Sequence, residues 1–152
     1  MRRLALCLWL AACAPIADEA LPPGTIPLRN PTLPVASQAD VSAARLAGDW
    51  VVVSGATLDP GTRLRVAGEG LRIGGVSLPL RDLGQGRFAL GDSEIWVHWM
   101  DADNRTAAMG DPGGSRVWIM DRTGRPGDRL RAAREILEWY GYDLTRLHEK
   151  GA

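Results

Sequence analysis

From residue 48 to residue 122 short apolar or alternating runs are separated by clusters of Gly, Asp, Asn and Pro. The runs cover residues 50–54, 63–67, 71–73, 76–80, 87–90, 94–100, 105–109 and 116–120. Between them stand Asp59-Pro60-Gly61, Gly68-Glu69-Gly70, Gly74-Gly75, Gly84-Gln85-Gly86, Gly91-Asp92, Asp101 to Asn104 and Asp111-Pro112-Gly113-Gly114. Gly, Asn and Asp supply the positive φ that tight hairpins require. The pattern predicts eight strands, and connections this short join antiparallel neighbours. Regular spacing argues for a sandwich or barrel. Eight is also the number of strands at which an up-and-down barrel closes around side chains or one small ligand. Several runs are very short, so the barrel is expected to be squat.

Past Arg122 the period changes. Leu130, Ala133, Ile136, Leu137 and Tyr140 fall on one helical stripe. Pro126 and Asp128 suit a helix start and Gly141 its stop. A helix of about 12 residues is not stable alone and must dock on the sheet. The segment after Gly141 returns, with Leu144 and Leu147 as anchors, and His148 falls in an end expected to fray. The expected fold is all-β with one C-terminal α-helix: a squat, eight-stranded, antiparallel up-and-down barrel.

The N-terminal segment reads as an address. Met1-Arg2-Arg3 is a short positive start, and residues 4–10 form an apolar run. That run is well below the roughly 20 residues of a membrane-spanning helix, and it has the form of a secretory signal peptide. It ends in Leu10-Ala11-Ala12-Cys13, which resembles the lipobox of bacterial lipoproteins. The resemblance implies cleavage before Cys13 and lipidation of its thiol; the other reading is ordinary signal cleavage with Cys13 incidental. Ala14 follows, where an Asp in that family often marks inner-membrane retention. The expected location is therefore the outer membrane, facing the periplasm. Pro15, Pro22, Pro23, Pro27, Pro31 and Pro34 favour extended backbone over helix or ladder. The expected organisation is a signal peptide over 1–12, a lipidated Cys and Pro-rich tether over 13–45, and a barrel with helix and tail over 46–152. Part of the tether lying on the domain as an ordered arm is the alternative. Ser42 to Leu46 suit one helical turn.

Composition narrows the function. With 18 basic and 18 acidic side chains, and Lys150 the only Lys, the positive charges are scattered Arg residues. No stripe tracks a phosphate backbone, so nucleic acid is not an expected partner. Removing Arg2 and Arg3 leaves 16 basic against 18 acidic residues. Cys7 leaves with the signal and Cys13 is spoken for, so no thiol remains for a disulfide, a metal or catalysis. No ligand-spaced cluster of metal donors appears. None of Ser54, Ser77, Ser93 and Ser115 stands in a Gly-x-Ser-x-Gly elbow. Gly74-Gly75 and Gly113-Gly114 suit hairpins rather than phosphate cradles, since neither is followed by Lys or a helix. No cofactor is implied and an enzyme is not expected.

The run Glu94-Ile95-Trp96-Val97-His98-Trp99-Met100 is the richest. Strict alternation sends Ile95, Val97 and Trp99 to one face and Trp96, His98 and Met100 to the other. One set lines the interior, with alternate residues of 107–109 and 117–120. The candidate ligand contacts are accordingly Trp96, His98, Met100, Trp99, Met109 and Trp118. Such bulky groups equally suit a filled interior with no cavity. His98 is expected neutral and hydrogen-bonded in place. Asp101, Asp103 and Asp111 fit turn chemistry.

Eight antiparallel strands, one helix and a returning tail resemble the lipocalin plan. Leu46-Ala47-Gly48-Asp49-Trp50 is similar to the Gly-x-Trp that opens that barrel. Asp101 to Ala107, with Thr106, resembles the turn and strand start of the second lipocalin motif. Val117 to Thr123, with Arg122, resembles the last strand, and Tyr140 to Leu144 looks like the end of bacterial outer-membrane lipocalins. The resemblance implies a structural cluster of Gly48, Trp50, Thr106 and Arg122, the guanidinium lying across the indole at the closed end. It also implies binding of fatty acids, lysophospholipids or other small apolar molecules. Asn104 stands where the family usually has Tyr, and the stretch between Trp50 and Trp96 is shorter than in typical bacterial members. Its first hairpins are therefore expected to be stunted.

Overall fold

The computed structural model describes residues 26–149. Cys13, the signal-like segment and the first part of the Pro-rich stretch lie outside the described residues. A helical turn, α1 (Ala43–Leu46), precedes eight strands: β1 (Gly48–Gly55), β2 (Arg63–Ala67), β3 (Gly70–Ile73), β4 (Val76–Gly84), β5 (Arg87–Leu90), β6 (Ser93–Met100), β7 (Thr106–Gly110) and β8 (Val117–Asp121). Then come the helix α2 (Asp128–Trp139), a tight helical turn (Leu144–Arg146) and a two-residue strand, β9 (His148–Glu149).

Each strand pairs antiparallel with the next, and β1 pairs with both β2 and β8, closing an eight-stranded up-and-down barrel. The seven turn clusters are the seven hairpin connections. β2 pairs with the first half of β1, Gly48 to Val51. Beyond that point β9 takes its place, with Ser54 opposite Glu149 and Gly55 opposite His148. The end expected to fray therefore covers backbone groups that β2 leaves unpaired.

Trp50, Trp118, Phe88, Ile95, Val97, Met100, Met109 and Met120 belong to one buried cluster enclosed by the barrel. A second cluster lies outside the wall formed by β6, β7, β8 and β1. Ala133 and Leu137 of α2 pack there with Val53, Ala108, Val117, Ile119, Tyr142 and Leu147. The helical stripe read from the sequence thus docks as expected, and its two most buried residues are Ala133 and Leu137.

The stretch 26–42 is an arm on the barrel, not a free tether. Leu28 and Val41 are buried. Leu28 N–H donates to Gly114 O at 2.6 Å and Asn30 N–H to Gly141 O at 2.8 Å. Gln38 completes a strand edge: its N–H donates to Val97 O at 2.8 Å, and its Oε1 accepts from Met100 N–H at 2.7 Å. β5 ends opposite Trp96, so those β6 groups have no strand neighbour. Buried backbone groups must be paired, and Gln38 pairs them. Proline spacing removed the periodic signal that would have marked the arm.

Candidate functional site

The closed end of the barrel is built around Trp50. The Arg122 guanidinium lies 3.7 Å from the indole centroid. It also donates to three backbone carbonyls: Asn104 O at 3.0 Å, Ala47 O at 2.6 Å and Arg45 O at 2.9 Å. Trp50 Nε1–H donates to Leu46 O at 2.7 Å, tying α1 across the same end. Gly48 has φ of 107°, and a Cβ there would lie 2.6 Å from Arg122 Nη1. Only glycine allows the guanidinium this close. Asn104 also has positive φ, 55°. Asn tolerates that conformation better than bulkier residues. Its Oδ1 accepts from Arg45 Nε–H at 2.7 Å.

Two carboxylates brace the same end. Asp101 Oδ1 accepts from the N–H groups of Arg105 and Thr106, both at 2.7 Å, and Oδ2 from Arg129 Nε–H at 2.9 Å. The turn expected from Asx chemistry is thereby tied to the start of α2. Asp121 accepts from Thr106 Oγ1–H at 2.7 Å, Thr123 N–H at 2.8 Å and Arg125 N–H at 3.1 Å. Burial raises both acids' pKa. The donors outweigh it and hold both below the usual carboxylate range: Thr106 N–H first for Asp101, the Thr106 hydroxyl first for Asp121.

The aromatic strand departs from strict alternation. Val97 pairs with Met109, but the next paired residue is Trp99, opposite Ala108. His98 is the extra residue of a β-bulge. Ile95, Val97 and Met100 therefore join the interior cluster, while Trp99 packs against the outer one. The six candidate contacts divide accordingly. Met100, Met109 and Trp118 lie inside. Trp96 and His98 share the outer face with Trp99, Trp96 under the Arg87 guanidinium at 4.3 Å from its ring centroid. A bulge leaves no trace in the hydrophobic pattern when every residue around it is apolar or aromatic.

The interior is apolar and occupied. Met100, Met109 and Met120 fill its centre beside Phe88, Trp50 and Trp118. Trp118 is 2% exposed, and its Nε1–H has no hydrogen-bond partner among the described residues. An unpaired buried donor costs about 1–3 kcal/mol. Trp118 sits near the end opposite Arg122, beneath the β1–β2 loop. A Cβ on Gly55 would meet Leu58 O at 2.4 Å and Trp118 Cβ at 3.3 Å. Leu58 itself packs against the interior cluster. This loop closes the mouth.

Outside the barrel a second polar site joins three segments. His98 Nδ1 lies 2.7 Å from Ala36 O of the arm, and Nε2 lies 2.8 Å from the Tyr142 hydroxyl of the tail. Tyr142 OH also donates to Asp111 O at 2.6 Å. Burial, the largest cause, and Arg29 push the His98 pKa down to about 4, against the Ala36 carbonyl and Asp111, which raise it. His98 is thus neutral and hydrogen-bonded in place at neutral pH, as read from the sequence. Its partners Ala36, Tyr142 and Asp111 were not legible there, because they come from segments far apart in the chain.

No curated protein matches the chain. The model of the lipocalin-like domain family matches residues 85–151, which run from the turn before β5 through α2 to the tail. The Gly48–Trp50–Arg122 cluster and the closure of β1 on β2 extend the likeness to strands outside that match. A closed eight-stranded barrel with this capped end, one docked helix and a family model that matches residues 85–151 make the chain similar to the lipocalin family.

Proposed function

We propose that this lipocalin-like barrel binds a single-chain amphiphile, of the fatty acid or lysophospholipid class, as a lipid-anchored protein of the bacterial cell envelope. Lipocalin-like barrels suit small hydrophobic ligands in general. The observation that carries the finer reading is the Trp118 indole N–H, which, like the buried Ser54 hydroxyl, has no partner among the described residues, and whose ring belongs to the apolar interior cluster. A carboxylate or phosphate-ester oxygen near the mouth would accept from it, while the acyl chain replaces side-chain contacts deeper in. Methionine is the residue type best suited to move aside, being unbranched and flexible, and three of them face the interior. Entry requires the β1–β2 loop to swing and Leu58 to leave the mouth. The Leu10-Ala11-Ala12-Cys13 sequence supports the anchor, and Ala14 supports the outer membrane. Acyl burial contributes about 0.8 kcal/mol per CH₂, enough for stable anchorage when Cys13 carries several chains.

A second reading has its own observation in its favour: the interior side chains already fill the barrel, which suits a solid scaffold presenting its loops to a protein partner. One titration separates the two. The full chain is mixed with a fluorescent fatty acid and with a lysophospholipid, and tryptophan emission is followed. Saturable micromolar binding that weakens about tenfold in Trp118→Phe supports the carrier, since one hydrogen bond to a charged acceptor is worth about 1.5–3 kcal/mol. No saturable change across a panel of chain lengths and head groups supports the scaffold. Metabolic labelling with a fatty acid tests the anchor separately: Cys13→Ser should carry no label, and a labelled variant overturns the assignment.

A further inference from the structure

We propose that His98 is a pH-sensitive latch that holds the N-terminal arm against the C-terminal tail at neutral pH and weakens that hold on acidification. The latch is the point where arm, barrel wall and tail meet. Nδ1 faces a carbonyl oxygen, Ala36 O, which only accepts, so Nδ1 carries the proton of the neutral ring. Nε2 is then a lone pair facing Tyr142 OH. The single hydroxyl proton of Tyr142 is contested between Nε2 and Asp111 O. No water is needed to complete this chain: the arm's carbonyl, the ring, the phenol and the loop carbonyl form one line.

A proton added on acidification goes to Nε2. It satisfies Tyr142 O locally, but it creates a cation in a buried compartment that already holds one. Arg29, on the arm, is 5% exposed and donates to Tyr140 O at 2.8 Å, Pro112 O at 3.1 Å and Leu33 O. Those partners are neutral carbonyls, so the guanidinium keeps its full charge toward His98. The groups facing the ring are Ala36 and Arg29 from the arm, Asp111 from the β7–β8 loop, Tyr140 at the end of α2 and Tyr142 from the tail. On its own strand stands Trp96, with Arg87 stacked on it. Asp111 is the one carboxylate among them, and its oxygens already accept from Ser115 N–H and Ser115 Oγ–H. The second cation is therefore opposed by burial and by the arm's own first cation, and undocking the arm relieves both.

The sign follows from linkage. With the arm docked His98 titrates at about 4, and with the arm released its pKa returns toward 6.5. Docking is at full strength above pH 6.5 and is lost progressively as pH falls toward 4. Between pH 7.5 and pH 5 these values imply a loss of about 30-fold in the docking equilibrium. On the proposed lipid anchorage, release of residues 26–40 adds roughly 45 Å of extended reach between membrane and barrel.

Hydrogen exchange on the full chain, corrected for the intrinsic pH dependence of exchange, reads the latch whether or not the anchor exists. The Gln38 and Asn30 amides should lose about 30-fold of protection from pH 7.5 to pH 5, while β7 amides keep theirs. In His98→Gln, whose amide does not titrate, arm protection should not change with pH. A flat response in the wild type, or the same response in His98→Gln, overturns the proposal. Where His98→Gln leaves the arm unprotected at every pH, NMR titration of the wild-type imidazole decides. Titration below pH 5 upholds the latch, and titration near 6.5 with the arm still protected overturns it.

Discussion

The two walls of this barrel live in different surroundings. In β2 buried and exposed residues alternate cleanly, and in β4 most positions face water. In β7 and β8 every residue is buried. The strands are otherwise alike: short, antiparallel and joined by tight turns. The difference comes from what lies outside them. α2, the arm and the tail cover β6, β7, β8 and β1, and little covers β2 to β5. A strand wetted on one face needs apolar side chains only at alternate positions, whereas one covered on both faces needs them throughout. The match to the lipocalin-like domain family starts just before β5 and includes α2 and much of the covered wall.

The sharpest way to break this contrast is a charge under α2. Ala108 is 0% exposed on the outer face of β7. Ala108→Asp should cost more than about 4 kcal/mol, because an unpaired carboxylate is buried there. Urea denaturation should find it largely unfolded. Leu137→Ala removes the fully buried anchor of α2 and should cost about 3 kcal/mol, read as a lower urea midpoint with little change in slope. Asp121 sharpens the contrast by pH. Its carboxyl is held below the usual range, so its contribution is full above about pH 4 and fades as pH falls through the folded-state value. Asp121→Asn should lower stability by about 1–2 kcal/mol at pH 7 and flatten the loss seen below pH 4 in the wild type. On the thin wall, Val76 is 61% exposed. Val76→Asp should stay within about 0.5 kcal/mol of the wild type, and a larger loss would show that this wall too is covered in solution.

Much of the fold was legible because turns and periods are local. Asp59-Pro60-Gly61 and Gly74-Gly75 break the chain where hairpins must reverse, and the stripe from Leu130 to Tyr140 announced α2. The capped end was legible as well, since Gly48, Trp50 and Arg122 carry a resemblance that survives short strands. The six candidate contacts divide between the two faces of the wall. Met100, Met109 and Trp118 point inward as a pocket lining would. Trp96 and His98 lie on the outer face, one of the two that alternation left open; Trp99 joins them and Met100 turns inward because of one extra residue at His98, which alternation cannot register.

The chain by itself determined where backbone reverses, which segments are strands and which single segment is a helix, since those choices depend on residues a few positions apart. Tertiary structure decided the rest. It put Gln38 on an open strand edge, used the last two strand residues to finish β1, and brought Ala36, His98, Asp111 and Tyr142 into one hydrogen-bonded line. Each of these satisfies a buried polar group with a partner dozens of residues away, and such pairing is set by which surfaces meet, not by any local pattern.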